Sequence, residues 1–116
     1  MPFVEVVYDG TITEPMLRQL AELLPGLVAG AVACPEEPDV GPPQPGDLEI
    51  RFRPKGLFDV GELSCAIEVR TKLYASRLET KQSRAELIKT GVSKELPAIR
   101  YLGVWLFLAD GWWTQT

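Results

Sequence analysis

The 116-residue sequence contains no histidine at all and only two cysteines, Cys34 and Cys65. Without an imidazole, neither a Ser-His-Asp nor a Cys-His nucleophile can be assembled within one chain. Two cysteines and no histidine also leave too few ligands for a structural zinc site, so no metal is expected. Two are likewise too few for a disulfide framework, and both thiols are read as reduced. No GxGxxG or GxxxxGK[ST] phosphate loop occurs, and no cofactor is expected. No run approaches the roughly 18–20 apolar residues of a membrane-spanning helix. The start, Met1-Pro2-Phe3-Val4-Glu5, lacks the basic-then-apolar order of a signal peptide, so a cytoplasmic location is expected. The net charge of −4, with no uninterrupted basic cluster, argues against nucleic acid as a partner, because phosphate neutralisation supplies most of that affinity.

What remains is an ordinary globular composition, 46% hydrophobic and 24% charged, of a size suited to one domain over residues 1–116. Acid–base chemistry falls to carboxylates, lysines, tyrosines and the terminal amine. Phe3 to Tyr8 is rich in β-branched and aromatic residues and ends at Asp9-Gly10, as a strand closed by a turn does. Thr13 caps the helix that follows, with Pro15 in its first turn. Leu17, Leu20, Leu24, Leu27, Val28 and Ala31 form its apolar stripe, and Pro25-Gly26 predicts a kink or restart. Five prolines and two glycines between Pro35 and Gly46 predict an irregular connection.

Leu48 to Arg53 alternates, with Leu48, Ile50 and Phe52 on one face and Glu49, Arg51 and Arg53 on the other. Pro54 to Gly61 reads as a turn or short hairpin. Leu63 to Leu73 alternates again, with Cys65, Ile67, Val69 and Leu73 inward. Ser76 followed by Glu79 has the spacing of a capping box. The helix it opens places Leu78, Ala85, Ile88, Val92 and Leu96 on one side and ends at Pro97. Tyr101 to Ala109 is apolar on both faces, as in a central strand or one covered by a partner chain.

The order is therefore β-α-β twice, in halves of about 1–56 and 57–116: an α/β (α+β) fold with a four-stranded sheet and two helices on one face. Two arrangements share that order. One is an antiparallel ferredoxin-like plait; the other sets two parallel βαβ units antiparallel to each other in a mixed sheet.

Met1-Pro2 before an apolar strand, together with Tyr74 to Gln82 (YASRLETKQ) at the second helix and Gly111-Trp112 at the end, resembles the tautomerase superfamily. The likeness is to the duplicated branch of macrophage migration inhibitory factor and 5-carboxymethyl-2-hydroxymuconate isomerase. The resemblance implies the mixed sheet, a homotrimer, and a tautomerase or isomerase acting on a small 2-oxo or enol carboxylate. Pro2, freed by removal of Met1, is then the acid–base group. With Met1 attached its nitrogen is an amide and not basic. A terminal secondary amine has a reference pKa near about 8, and an apolar pocket lowers it towards neutrality. Arg77, Arg51 and Tyr101 are the substrate-binding candidates by the same resemblance, although the order here is Ser76-Arg77 where the family has Arg-Ser. The residues themselves also permit plainer readings. Arg51 and Arg53 with Glu49 and Glu68 suit a mutually paired sheet face, and Tyr101 suits simple packing. A non-catalytic trimer binding a small acid is the alternative function, as is a small-ligand binder on the ferredoxin-like plait.

Overall fold

The computed structural model describes residues 2–37, 44–111, 114 and 116. Met1 and Trp112, both named above, lie outside the described residues. Strand β1 (Phe3–Tyr8) is followed by helix α1 (Glu14–Val32), a 3-10 turn (Pro45–Asp47) and β2 (Glu49–Pro54). The second half runs β3 (Cys65–Lys72), a short α2 (Ala75–Glu79), α3 (Lys81–Glu95) and β4 (Leu102–Ala109). Among the described residues, no helix is long and apolar enough to cross a membrane.

The sheet order is β2-β1-β3-β4. β1 pairs parallel with β2, β3 pairs parallel with β4, and β1 meets β3 antiparallel, with Phe3 opposite Arg70 and Tyr8 opposite Cys65. This pairing rules out the antiparallel plait, and with it the ferredoxin-like reading. Alternation divides the sheet. Val4, Val6, Cys65, Ile67 and Val69 are buried on the helix-covered face, joined by Leu20, Leu24, Val28 and Val32 of α1 and Ile88 and Val92 of α3. Removing side chains of this size from water stabilises the fold by roughly 1.5–3 kcal/mol each. Leu48, Ile50 and Phe52 border the same core. The helices approach closely where Gly91 faces Leu27: a Cβ there would lie 2.6 Å from Leu27 Cδ1.

Thr13 caps α1 as expected, its Oγ1 accepting from Met16 N at 3.4 Å. Pro25, however, neither ends nor restarts the helix, which is continuous from Glu14 to Val32. Proline leaves the carbonyl of Ala21 without its helical donor, but Ala21 is exposed and water can serve it. Leu24 and Val28, on either side, are fully buried and hold the helix in place. β3 ends one residue earlier than the alternation suggested, so Thr71 is the inward residue and Leu73 is 37% exposed.

The second long helix is broken at Thr80, whose φ/ψ of −117°/22° separates α2 from α3. The break shifts the helical phase, leaving Leu78 exposed and burying Arg77 in its place. Ser76 makes no capping box; the N-cap of α2 is Tyr74, without a side-chain cap. Finally, β4 is an edge strand rather than a central one, and Trp105 and Phe107 stand on its uncovered face.

Because the fold holds α1 together across Pro25 at the expense of one hydrogen bond, Pro25→Ala is expected to stabilise the chain. The gain expected is about 2 kcal/mol, after allowing for the looser unfolded state. Urea denaturation reads this directly as a higher midpoint with an unchanged slope.

Candidate active site

Antiparallel pairing of β1 with β3 brings the start of the first strand to the end of the third. Pro2 is buried there, and its carbonyl accepts from Glu49 N at 3.1 Å. Continuing the β1–β3 register by one residue sets Pro2 opposite Thr71, itself buried. The end of α1, the end of β4 and the start of α2 converge on the same edge, with Leu73 N donating to Ala109 O at 2.9 Å.

Arg77 closes this end of the molecule from within. It is fully buried, and its Nε donates to Val32 O at 2.8 Å and its Nη1 to Lys72 O at 3.0 Å. Nη2 lies 2.8 Å from Glu37 Oε1, an ion pair whose angle is not that of a hydrogen bond. The Tyr74 ring centroid is 5.2 Å from Cζ. Arg84 extends the arrangement: its Nη1 donates to Ala31 O and Ala33 O at 2.9 and 2.6 Å, and its Nε to Thr80 Oγ1. The last turn of α1 carries no basic residue of its own. Two arginines from the other half of the chain therefore satisfy its orphan carbonyls and complement its negative dipole end.

The neighbouring acid, Glu36, accepts from both the backbone N and the hydroxyl of Ser76. The Ser76 hydroxyl, then its backbone N–H, holds the Glu36 carboxyl below the usual carboxylate range. The Ser76-Arg77 and Glu36-Glu37 pairs thus clasp the two halves together.

The four site candidates separate. Pro2 and Arg77 share one end of the sheet. Arg51 is exposed on the uncovered face, its guanidinium carbon 6.0 Å from the Phe3 ring centroid. Tyr101 stands at the opposite end, 54% exposed, its carbonyl accepting from Ser64 N and Cys65 N. Within a single chain Tyr101 is thus at the other end of the sheet from Pro2, and Arg51 lies on the uncovered face beside Phe3. Glu36, Glu37 and Arg84 read from sequence as loop and surface residues, and only a separation of about forty residues closed by the fold gives them their partners. Among the described residues, no group of histidine, cysteine and acidic side chains could hold a metal ion.

Arg77→Met is expected to cost about 3–5 kcal/mol, because it strands two carbonyls and the partly buried carboxylate of Glu37. Arg77→Lys is expected to recover little of this, since an ammonium cannot reproduce the planar fork that reaches Val32, Lys72 and Glu37. Equilibrium denaturation of the two variants against the parent protein measures both losses.

No family model matches the sequence, and no curated protein matches it. Solved structures do match in shape. A 5-carboxymethyl-2-hydroxymuconate delta-isomerase superposes with a TM-score of 0.65 at 14% identity, over 100% of this chain and 86% of that one. A member of the cis-3-chloroacrylic acid dehalogenase family gives 0.63 at 16%, over 94% and 76%. A fused 4-OT, a symmetric trimer, gives 0.61 at 17%, over 92% and 85%. Identities this low speak for architecture alone, and on that ground the chain carries the fold of the tautomerase superfamily.

Proposed function

We propose that this chain is a tautomerase-type protein that moves a proton on a small 2-oxo or enol carboxylate, with Pro2 as the acid–base group once Met1 has been removed. The observation that carries the reading is the position of Pro2: buried, at the head of β1, on a sheet with the strand pairing of tautomerase-like neighbours. A secondary amine in that setting is disfavoured as a cation, which lowers its pKa towards the range where it can both take and return a proton.

In this reading Arg77 is a positioning residue. Its guanidinium is engaged by Val32, Lys72 and Glu37, and it holds the end of α1 to the end of β3, the strand end that pairs with the start of β1. Arg51 and Tyr101 contribute only across a subunit boundary, in a homotrimer of single tautomerase-like domains. The trimeric state of a fused 4-OT with the same architecture supports that assembly. A non-catalytic binder of small acids on the same scaffold is the second reading. The engagement of Arg77 favours it, because Nε and Nη1 are spent on backbone carbonyls and only the buried Nη2, ion-paired with Glu37, lacks a hydrogen-bond partner.

The two readings part on the amino terminus. Protein shown by intact-mass spectrometry to begin at Pro2 is expected to ketonise a phenylpyruvate-type enol. Its pH profile should reveal a basic group below the roughly 8 of a free α-amine. Protein retaining Met1, and the Pro2→Ala variant, are expected to lose at least about 100-fold in kcat/KM. Full activity with Met1 in place would remove Pro2 from the mechanism, and no activity in the processed protein would favour the binder.

A further inference from the structure

The arginines nearest the Pro2 end of the sheet have duties of their own. Arg77 donates to Val32 O and Lys72 O and is ion-paired with Glu37. Arg84 donates to Ala31 O and Ala33 O at the end of α1. Arg70 lies 3.3 Å from the Glu68 carboxylate, with its guanidinium carbon 5.9 Å from the Phe107 ring centroid. Arg51 pairs in register with Glu5, three residues along β1 from Pro2, and stands over Phe3. Each is therefore either engaged or out of line with Pro2.

Lys72, the last residue of β3 and half-buried, is placed differently. The β1–β3 register pairs Phe3 with Arg70, so Thr71 falls opposite Pro2. One further step sets Lys72 opposite the position preceding Pro2, which is the side on which the Pro2 nitrogen lies. Neighbouring strands are about 4.8 Å apart and rise about 3.4 Å per residue, so a lysine stem rooted there is long enough to reach the space in front of that nitrogen. The root itself is fixed. Lys72 O accepts from Arg77 Nη1 at 3.0 Å, and the next residue, Leu73, donates its N–H to Ala109 O at 2.9 Å. The Lys72 ammonium is 5.7 Å from the Tyr74 ring centroid, and the Arg77 guanidinium carbon is 5.2 Å from the same centroid. A ring shared by two cations restrains the lysine stem without neutralising its charge.

We propose that Lys72 binds the substrate carboxylate in front of the Pro2 amine, taking the part that the resemblance implied for Arg77. The inference rests on Pro2 as the acid–base group and names the cation that works beside it. An ammonium offers three donors around a compact charge and, unlike a guanidinium, needs no fixed planar fork to hold a carboxylate. A substrate carrying that carboxylate is therefore preferred over its uncharged ester. A second consequence is electrostatic. A positive charge close to the Pro2 amine disfavours its protonated form and lowers its pKa, in the same direction as burial does. Arg77 acts on this arrangement from behind, through its hold on the Lys72 carbonyl and on the Tyr74 ring.

The test compares phenylpyruvate with its methyl ester, on protein shown to begin at Pro2. The parent chain is set beside Lys72→Met and Lys72→Arg, with circular dichroism to verify that all three are folded. In Lys72→Met the preference for acid over ester in kcat/KM is expected to fall roughly 30-fold, as loss of one charge-assisted hydrogen bond predicts, mainly through KM. The pKa of the basic group in its pH profile should rise by about one unit, because the neighbouring positive charge is gone. Lys72→Arg is expected to keep most of the acid preference and the parent's profile. In the parent chain the NMR resonance of the Lys72 ε-methylene should shift on adding the acid and not on adding the ester, a readout that needs no variant to fold. An active parent whose Lys72→Met variant keeps both the preference and the profile overturns the Lys72 assignment and leaves Pro2 in place. A processed parent without activity overturns the functional reading instead, and a Lys72 resonance that then ignores the acid overturns the assignment with it.

Discussion

A guanidinium taken wholly out of water must find partners for its donors, and Arg77 finds them on separate segments of the chain. One is the last carbonyl of α1, one the carbonyl at the end of β3, and one the carboxylate of Glu37 in the connection after α1. Main-chain pairing joins the two βαβ halves through β1 and β3, but it does not tie α1 or the connection after it to β3; Arg77 does. The cost of burying the charge is offset only while all of them keep their places, so the residue acts as a geometric lock. Arg84 and the Ser76–Glu36 contact reinforce it from either side.

The same lock shapes the candidate site. Pro2 lies at the strand end that Arg77 closes, hydrogen-bonded to the start of β2 and one register step beyond the Phe3–Arg70 pair of β3. Groups on element ends held in this way suit proton transfer, which tolerates little displacement of its base. The opposite end of the sheet has another character. There the β2–β3 loop exposes Leu57, Phe58 and Val60, whereas β4 runs the length of the sheet and sets Phe107 level with Phe3.

Much of this architecture was legible in the residues. The β-branched run at Phe3 to Tyr8, the alternation of Leu48 to Arg53 and the stripe of α1 each dictate a periodicity that the structure keeps. Strand pairing was not legible, because the same order of elements serves both a plait and a mixed sheet; the Met-Pro start and the Ser76-Arg77 stretch separated them by resemblance. Local rules failed where tertiary contacts outweighed them. Pro25 sits in an unbroken helix because Leu24 and Val28 are buried around it. The Ser76 hydroxyl turns to Glu36 instead of capping its own helix. Arg77, expected by resemblance to bind substrate from a helix start, is instead fully buried, on the short turn that the break at Thr80 sets apart from α3. Its partners at Val32 and Glu37 lie some forty residues away, where no spacing rule reaches.

The central claim is that the Arg77 guanidinium is held by the protein itself, at the end of the sheet where Pro2 lies. It is tested most directly by NMR of the arginine Nε–H groups in hydrogen exchange. The account predicts one Nε–H, assigned to Arg77 through its loss in the Arg77→Met variant, that exchanges as slowly as the core amides of β1 and β3, with and without a small 2-oxo acid present. Exchange as fast as that of the exposed arginines would contradict it, as would a large shift of that resonance on adding the acid.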